Sequence, residues 1–89
     1  MANCFKSISL SGQEARRVLR SLYLEFKKKR LSNDTGDQIR VTTDPFAGIV
    51  ITAYDSDKVL VQGTGEKHIK VIWKAMKLFA KVQEMQREV

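Results

Sequence analysis

Eighty-nine residues make one domain with a single modest core, and 43% hydrophobic with 29% charged residues is the balance of an ordinary globular protein with no run long enough for a membrane span. One cysteine, Cys4, excludes an internal disulfide, and one histidine, His68, excludes a histidine-based metal site; both facts fit a cytoplasmic protein, and no targeting segment is read at the N-terminus. Sixteen basic against ten acidic residues, a net +6, favour a polyanionic partner such as nucleic acid, although many folded proteins are this basic without one.

Residues 4–10 predict a first strand, with Ile8 and Leu10 inward and Phe5, Ser7 and Ser9 facing the other way. Ser11-Gly12-Gln13-Glu14 has the spacing of a capping box and predicts a helix start. The helix carries Ala15, Val18, Leu19, Leu22, Tyr23 and Phe26 at spacings of three and four, hence on one face. Arg16, Arg17, Arg20 and Lys27 occupy the opposite face, and Lys28, Lys29 and Arg30 close the end, where cations suit the helix dipole. Seven basic residues between positions 16 and 30 exceed what capping needs, and they read equally as a solvated face or as a phosphate-attracting patch.

Ser32 to Asp37 form a polar loop whose acids lack calcium-loop spacing. Ile39, Val41 and Thr43 alternate with Arg40 and Thr42 as a second strand, and Asp44-Pro45-Phe46-Ala47 turns the chain. Then come two β-branched runs. Ile49, Ile51 and Ala53 alternate with Val50, Thr52 and Tyr54; Val59 and Val61 alternate with Lys58, Leu60 and Gln62. The short polar link Asp55-Ser56-Asp57 predicts an antiparallel hairpin between them.

The segment ITAYDSDKVLVQG, residues 51–63, resembles the strand-turn-strand of the small TBP-like domain at the N-terminus of type III ribonuclease H. The likeness is close over about fifteen residues, residues 48–63, and beyond them only the order of elements agrees; no part of the ribonuclease catalytic domain is present.

After Gly63, Thr64 is the expected N-cap of a last helix, with Glu66 in its first turn. The glycine pair and helix start lack the Walker A spacing, and they read as a strand-to-helix turn or as a phosphate contact. Ile69, Ile72, Trp73, Met76, Phe79 and Ala80 form a core stripe, and Lys67, Lys70, Lys74, Lys77 and Lys81 form a lysine stripe. Val71, Ala75, Leu78, Val82, Met85 and Val89 make a second apolar stripe at heptad-like spacing. A neighbouring helix could bury that stripe, or it could serve a homodimer or protein partner around Val82, Met85 and Val89.

The element order β-α-β-β-β-α predicts an α+β fold, an antiparallel sheet covered on one face by two helices. The expected core is Ile8, Leu10, Leu19, Leu22, Phe26, Ile39, Val41, Ile49, Ile51, Val59, Val61, Ile69, Ile72, Trp73 and Met76. An α-β-β-β-α fold, with residues 4–10 unpaired, is the competing arrangement. The resemblance implies a curved, TBP-like half-saddle made of residues 1–89, and a role in holding an RNA/DNA hybrid through Thr52, Tyr54, Lys58, Leu60 and Gln62. The paired phenylalanines with which the TATA-binding family kinks DNA have no counterpart, since Phe46 stands alone.

No paired-carboxylate cleft, metal-ligand set or Ser/His/Asp or Cys/His arrangement is present in the sequence, so neither catalysis nor a cofactor is expected. The expected function is a non-catalytic module for duplex nucleic acid, RNA-containing by preference. Its candidate contacts are Arg16, Arg17, Arg20, Arg40, Thr42, Thr52, Tyr54, Lys58, Gln62, Lys67, Lys70 and Lys74. The alternative is a small regulatory or inhibitor module docking through the open sheet face or the C-terminal helix.

Overall fold

The computed structural model describes residues 3–4, 7–63 and 65–87. Along the chain these form β1 (Asn3–Cys4), α1 (Gly12–Ser21), β2 (Phe26–Arg30), β3 (Gly36–Val41), β4 (Val50–Tyr54), β5 (Lys58–Gly63) and α2 (Glu66–Arg87). The expectations for Phe5, Thr64 and Val89 fall outside the described residues.

α1 begins as its sequence dictates. The Glu14 amide donates to Ser11 Oγ and the Ser11 amide donates to Glu14 Oε1, each at 3.1 Å, closing the capping box. Its end departs from expectation. The Leu24 amide donates to the Leu19 carbonyl and the Tyr23 amide to the Arg20 carbonyl, both at 3.0 Å, with Tyr23 at φ 59°. This is a Schellman motif, completed by burial of Leu19 and Leu24 together. The helix therefore stops at Leu22, and the expected helical turn through Phe26 and the Lys28-Lys29-Arg30 cap does not form. Tyr23, expected on the buried face, is 91% exposed.

Phe26–Arg30 is instead an additional strand, paired antiparallel with β3 from Phe26↔Val41 to Arg30↔Asp37. The physical reason lies in Leu22, Leu24 and Phe26, whose period of two points all three toward the core while Tyr23 and Glu25 face solvent. Pairing continues past the strand ends, with the Thr42 amide donating to the Glu25 carbonyl and the Glu25 amide to Thr43 Oγ1.

The sheet is antiparallel throughout, in the order β1-β5-β4-β3-β2. Strands β2 to β5 form a meander, and β1 returns to the far edge beside β5; Ile8 also bridges Val59 through two 2.9 Å hydrogen bonds. That pairing excludes the arrangement without a first strand. The β4–β5 hairpin turns through Asp55-Ser56-Asp57, with Asp57 at φ 62° and its amide donating to the Tyr54 carbonyl. Gly36 is required where β3 crosses β4, because a Cβ there would stand 2.4 Å from the Ala53 carbonyl oxygen.

Both helices cover one face of the sheet, so the molecule is an α+β protein with an open antiparallel sheet. The core joins Ile8, Leu10, Ile39, Val41, Ile49, Ile51, Val59 and Val61 to Ala15, Val18 and Leu19 of α1 and Ile69, Ile72 and Met76 of α2. Leu24 and Ala53 belong to it as well, while Leu22, Phe26 and Trp73 are only partly buried at its margin. Ser7 and Ser9 do not join the open sheet face; with Trp73, Ala80, Lys77 and Lys81 they line a groove of about 420 Å³ between the first strand segment and α2.

Candidate nucleic-acid interface

Because directly paired residues share a face, the register defines the side of the sheet opposite the helices. One row runs Lys27, Arg40, Val50, Gln62; the next runs Lys29, Gln38, Thr52, Leu60; the third holds Gly36, Tyr54 and Lys58. Three strand spacings separate β2 from β5, roughly 14 Å. The cations stand at the margins of this surface. Its centre is Val50, Thr52, Tyr54 and Leu60, all wholly or partly shielded, with Thr52 only 8% exposed between Gln38 and Leu60.

Lys27, Lys29, Arg40 and Lys58 are exposed, and the three paired rows hold no acid; Glu25, exposed opposite Thr42 just past the end of β2, is the acid on this side. A shallow depression of about 340 Å³ opens here, lined by Lys27, Lys28, Lys29, Gln38 and Arg40. Three further acids are held by Arg30. Arg30 bonds Asp34 Oδ1 at 2.7 Å, Asp37 Oδ1 at 3.4 Å and the Asp55 carboxylate through both Nη atoms. The Asp55 pairing, followed by that to Asp34, raises the Arg30 pKa, and the Arg30 hydrogen bond lowers that of Asp55. Every ion pair among the described residues involves Arg16 or Arg30, so none of the sheet-face cations is neutralised in that way.

No family model, curated protein or solved structure matches this chain. The site therefore rests on its own geometry.

That geometry divides the candidate contacts in two. Arg40, Thr52, Tyr54, Lys58 and Gln62 share the open face, and Thr42 continues the β3 alternation on the same side, just past the strand end. Arg16, Arg17, Arg20, Lys67, Lys70 and Lys74 belong to the helical layer behind the sheet. Among these, Arg16 is half-buried 3.9 Å from Asp37, and the Arg20 guanidinium lies 5.7 Å from the Phe26 ring centroid. One flat surface does not collect both groups.

Lys27, Lys29 and Gln38 join the open face without having been singled out as contacts. The signal for the two lysines was the Leu22, Leu24, Phe26 alternation, which turns the following residues into a strand and sends Lys27 and Lys29 to the outer side. Among the described residues no group of three His, Cys, Asp or Glu could hold a metal ion, and no helix is long and apolar enough to cross a membrane.

Proposed function

We propose that the chain is a nucleic-acid-binding module that takes a duplex on its open sheet face. What supports this most is the face itself: four exposed cations against the single acid Glu25 past the end of β2, and a central patch of Val50, Thr52, Tyr54 and Leu60. Marginal lysines and arginine suit the phosphates of two strands, and a hydroxyl and apolar centre suits sugars. An RNA-containing duplex fits better than B-DNA, since the A-form minor groove is wide and shallow and presents 2′-hydroxyls to a flat surface. The resemblance of residues 51–63 to the TBP-like domain of type III ribonuclease H supports the same choice, and a sheet backed by two helices is the arrangement it implied. Lys27, Lys29, Arg40 and Lys58 bind phosphate, while Thr52, Tyr54 and Gln62 meet the groove. Sequence is read weakly, because only Arg40, Gln38 and Gln62 offer base-reading geometry.

Fluorescence anisotropy with matched RNA/DNA hybrid, double-stranded RNA, double-stranded DNA and single strands, each at two salt concentrations, tests the proposal. Micromolar or tighter binding with a hybrid or RNA-duplex preference supports it. Weak binding, equal for every strand and lost at physiological salt, overturns it.

A further inference from the structure

The outward side of α2 has no role in the sheet-face reading, yet it is the most apolar exposed surface described. Val71, Leu78, Val82 and Met85 are 46%, 64%, 43% and 60% exposed. Neighbouring α1 leaves them exposed, while Ala75 and Phe79 at the adjoining edge of the arc pack against the core. With Ala75, the exposed residues recur at steps of four, three, four and three along the helix. That repeat draws a straight, narrow seam of about 21 Å, the width of a helix-to-helix contact and too narrow for the broad apolar arc of a helix lying in a bilayer surface.

Charge runs along one side of the seam only. Lys74 lies three residues after Val71 and four before Leu78, and Lys81 stands in the same relation to Leu78 and Met85; Lys67 and Lys70 extend the row. None of these lysines makes an ion pair among the described residues. The acids of α2 within the described range are Glu66, in its first turn, and Glu84, which faces the groove beyond the lysine row.

This one-sided charge argues against a second copy of the chain. An antiparallel pair would set two lysine rows side by side. A parallel pair would set each row against the flank holding Phe79 and Ala75, which carries no carboxylate. We propose that α2 docks an amphipathic helix of another protein, one whose own apolar seam is flanked by a row of carboxylates.

A designed three-heptad peptide tests this, with leucine at a and d and glutamate at e and g, where self-repulsion keeps it unpaired. A control peptide carries lysine in place of glutamate. The glutamate peptide is expected to bind at micromolar concentration and the lysine peptide not to bind. Leu78→Glu with Met85→Glu, both exposed and harmless to the core, abolishes binding, with folding checked by circular dichroism. Lys74→Glu with Lys81→Glu weakens binding about tenfold or more and shifts preference to the lysine peptide. The proposal is overturned by absent or equal binding of the two peptides, or by binding that survives Leu78→Glu with Met85→Glu. It is overturned as well by stronger retention on phosphatidylcholine/phosphatidylserine vesicles, or by concentration-dependent self-association through this face.

Discussion

The Arg30 guanidinium grips the Asp55 carboxylate through both Nη atoms, fastening the last residue of edge strand β2 to the turn between β4 and β5. Asp34 and Asp37 bind the same guanidinium, so one cation gathers three acids at one end of the sheet and leaves the open face basic. The arrangement reinforces the link between two loops that the Gly36↔Tyr54 pair and the Asp55 amide, donating to the Thr35 carbonyl, already bring together.

Acid should loosen that fastening. The Arg30 hydrogen bond holds the Asp55 carboxyl below its ordinary value near 3.8, so its contribution is present at neutral pH and is lost as pH falls through the depressed folded value. Urea unfolding at pH 7 and pH 3 should show stability falling on the acid side, with a shallower fall in Asp55→Asn. Equal pH slopes for the two proteins would remove Asp55 from the acid response.

Tyr23→Gly should raise stability by about 0.5–1 kcal/mol. Tyr23 occupies a left-handed position and buries almost nothing, so glycine relieves backbone crowding without loss of packing, offset in part by its greater unfolded-state freedom. Chemical denaturation gives the sign directly, and a destabilised variant would count against the Schellman geometry.

At Gly36 the opposite holds. An alanine Cβ would meet the Ala53 carbonyl and the Tyr54 Cα, both backbone atoms that yield only if β3 and β4 separate. Gly36→Ala should cost about 2 kcal/mol or more, read as a lower denaturation midpoint with the slope unchanged. A neutral result would mean the two strands lie farther apart.

The two layers of basic residues should separate in salt titrations. Lys27→Gln with Lys29→Gln should weaken duplex binding and flatten its salt dependence by about one unit of slope per lost phosphate contact. Arg17→Gln with Arg20→Gln, in the layer behind the sheet, should leave the slope as it is. The reverse pattern would move the footprint to α1.

Much of the fold is legible along the chain, for identifiable reasons. Ile49, Ile51, Val59 and Val61 alternate because only one face of the sheet is covered, and Ser11 with Glu14 announces α1 through groups that reach its first amides. The end of α1 is hidden because Tyr23 fills a position that glycine usually marks, and Leu22 and Phe26 happen to suit helical spacing too. Lys27 to Arg30 lack an apolar alternation because β2 is an edge strand, and charge there discourages pairing with other chains. That misplaced boundary also kept Lys27 and Lys29 off the sheet face, whereas Arg40, Tyr54 and Lys58 fell on it by simple parity.

The strand order carries a consequence for how the molecule assembles. Strands β2 to β5 follow one another in chain and in space, so each hairpin closes a short loop at low entropic cost. β1 must find β5 across about two thirds of the chain and, among the described residues, gains the pairs Asn3↔Gly63 and Cys4↔Gln62 together with the Ile8 bridge. The meander is therefore expected to form first, with the N-terminal strand closing the sheet last and opening first, which amide hydrogen exchange along β5 would test.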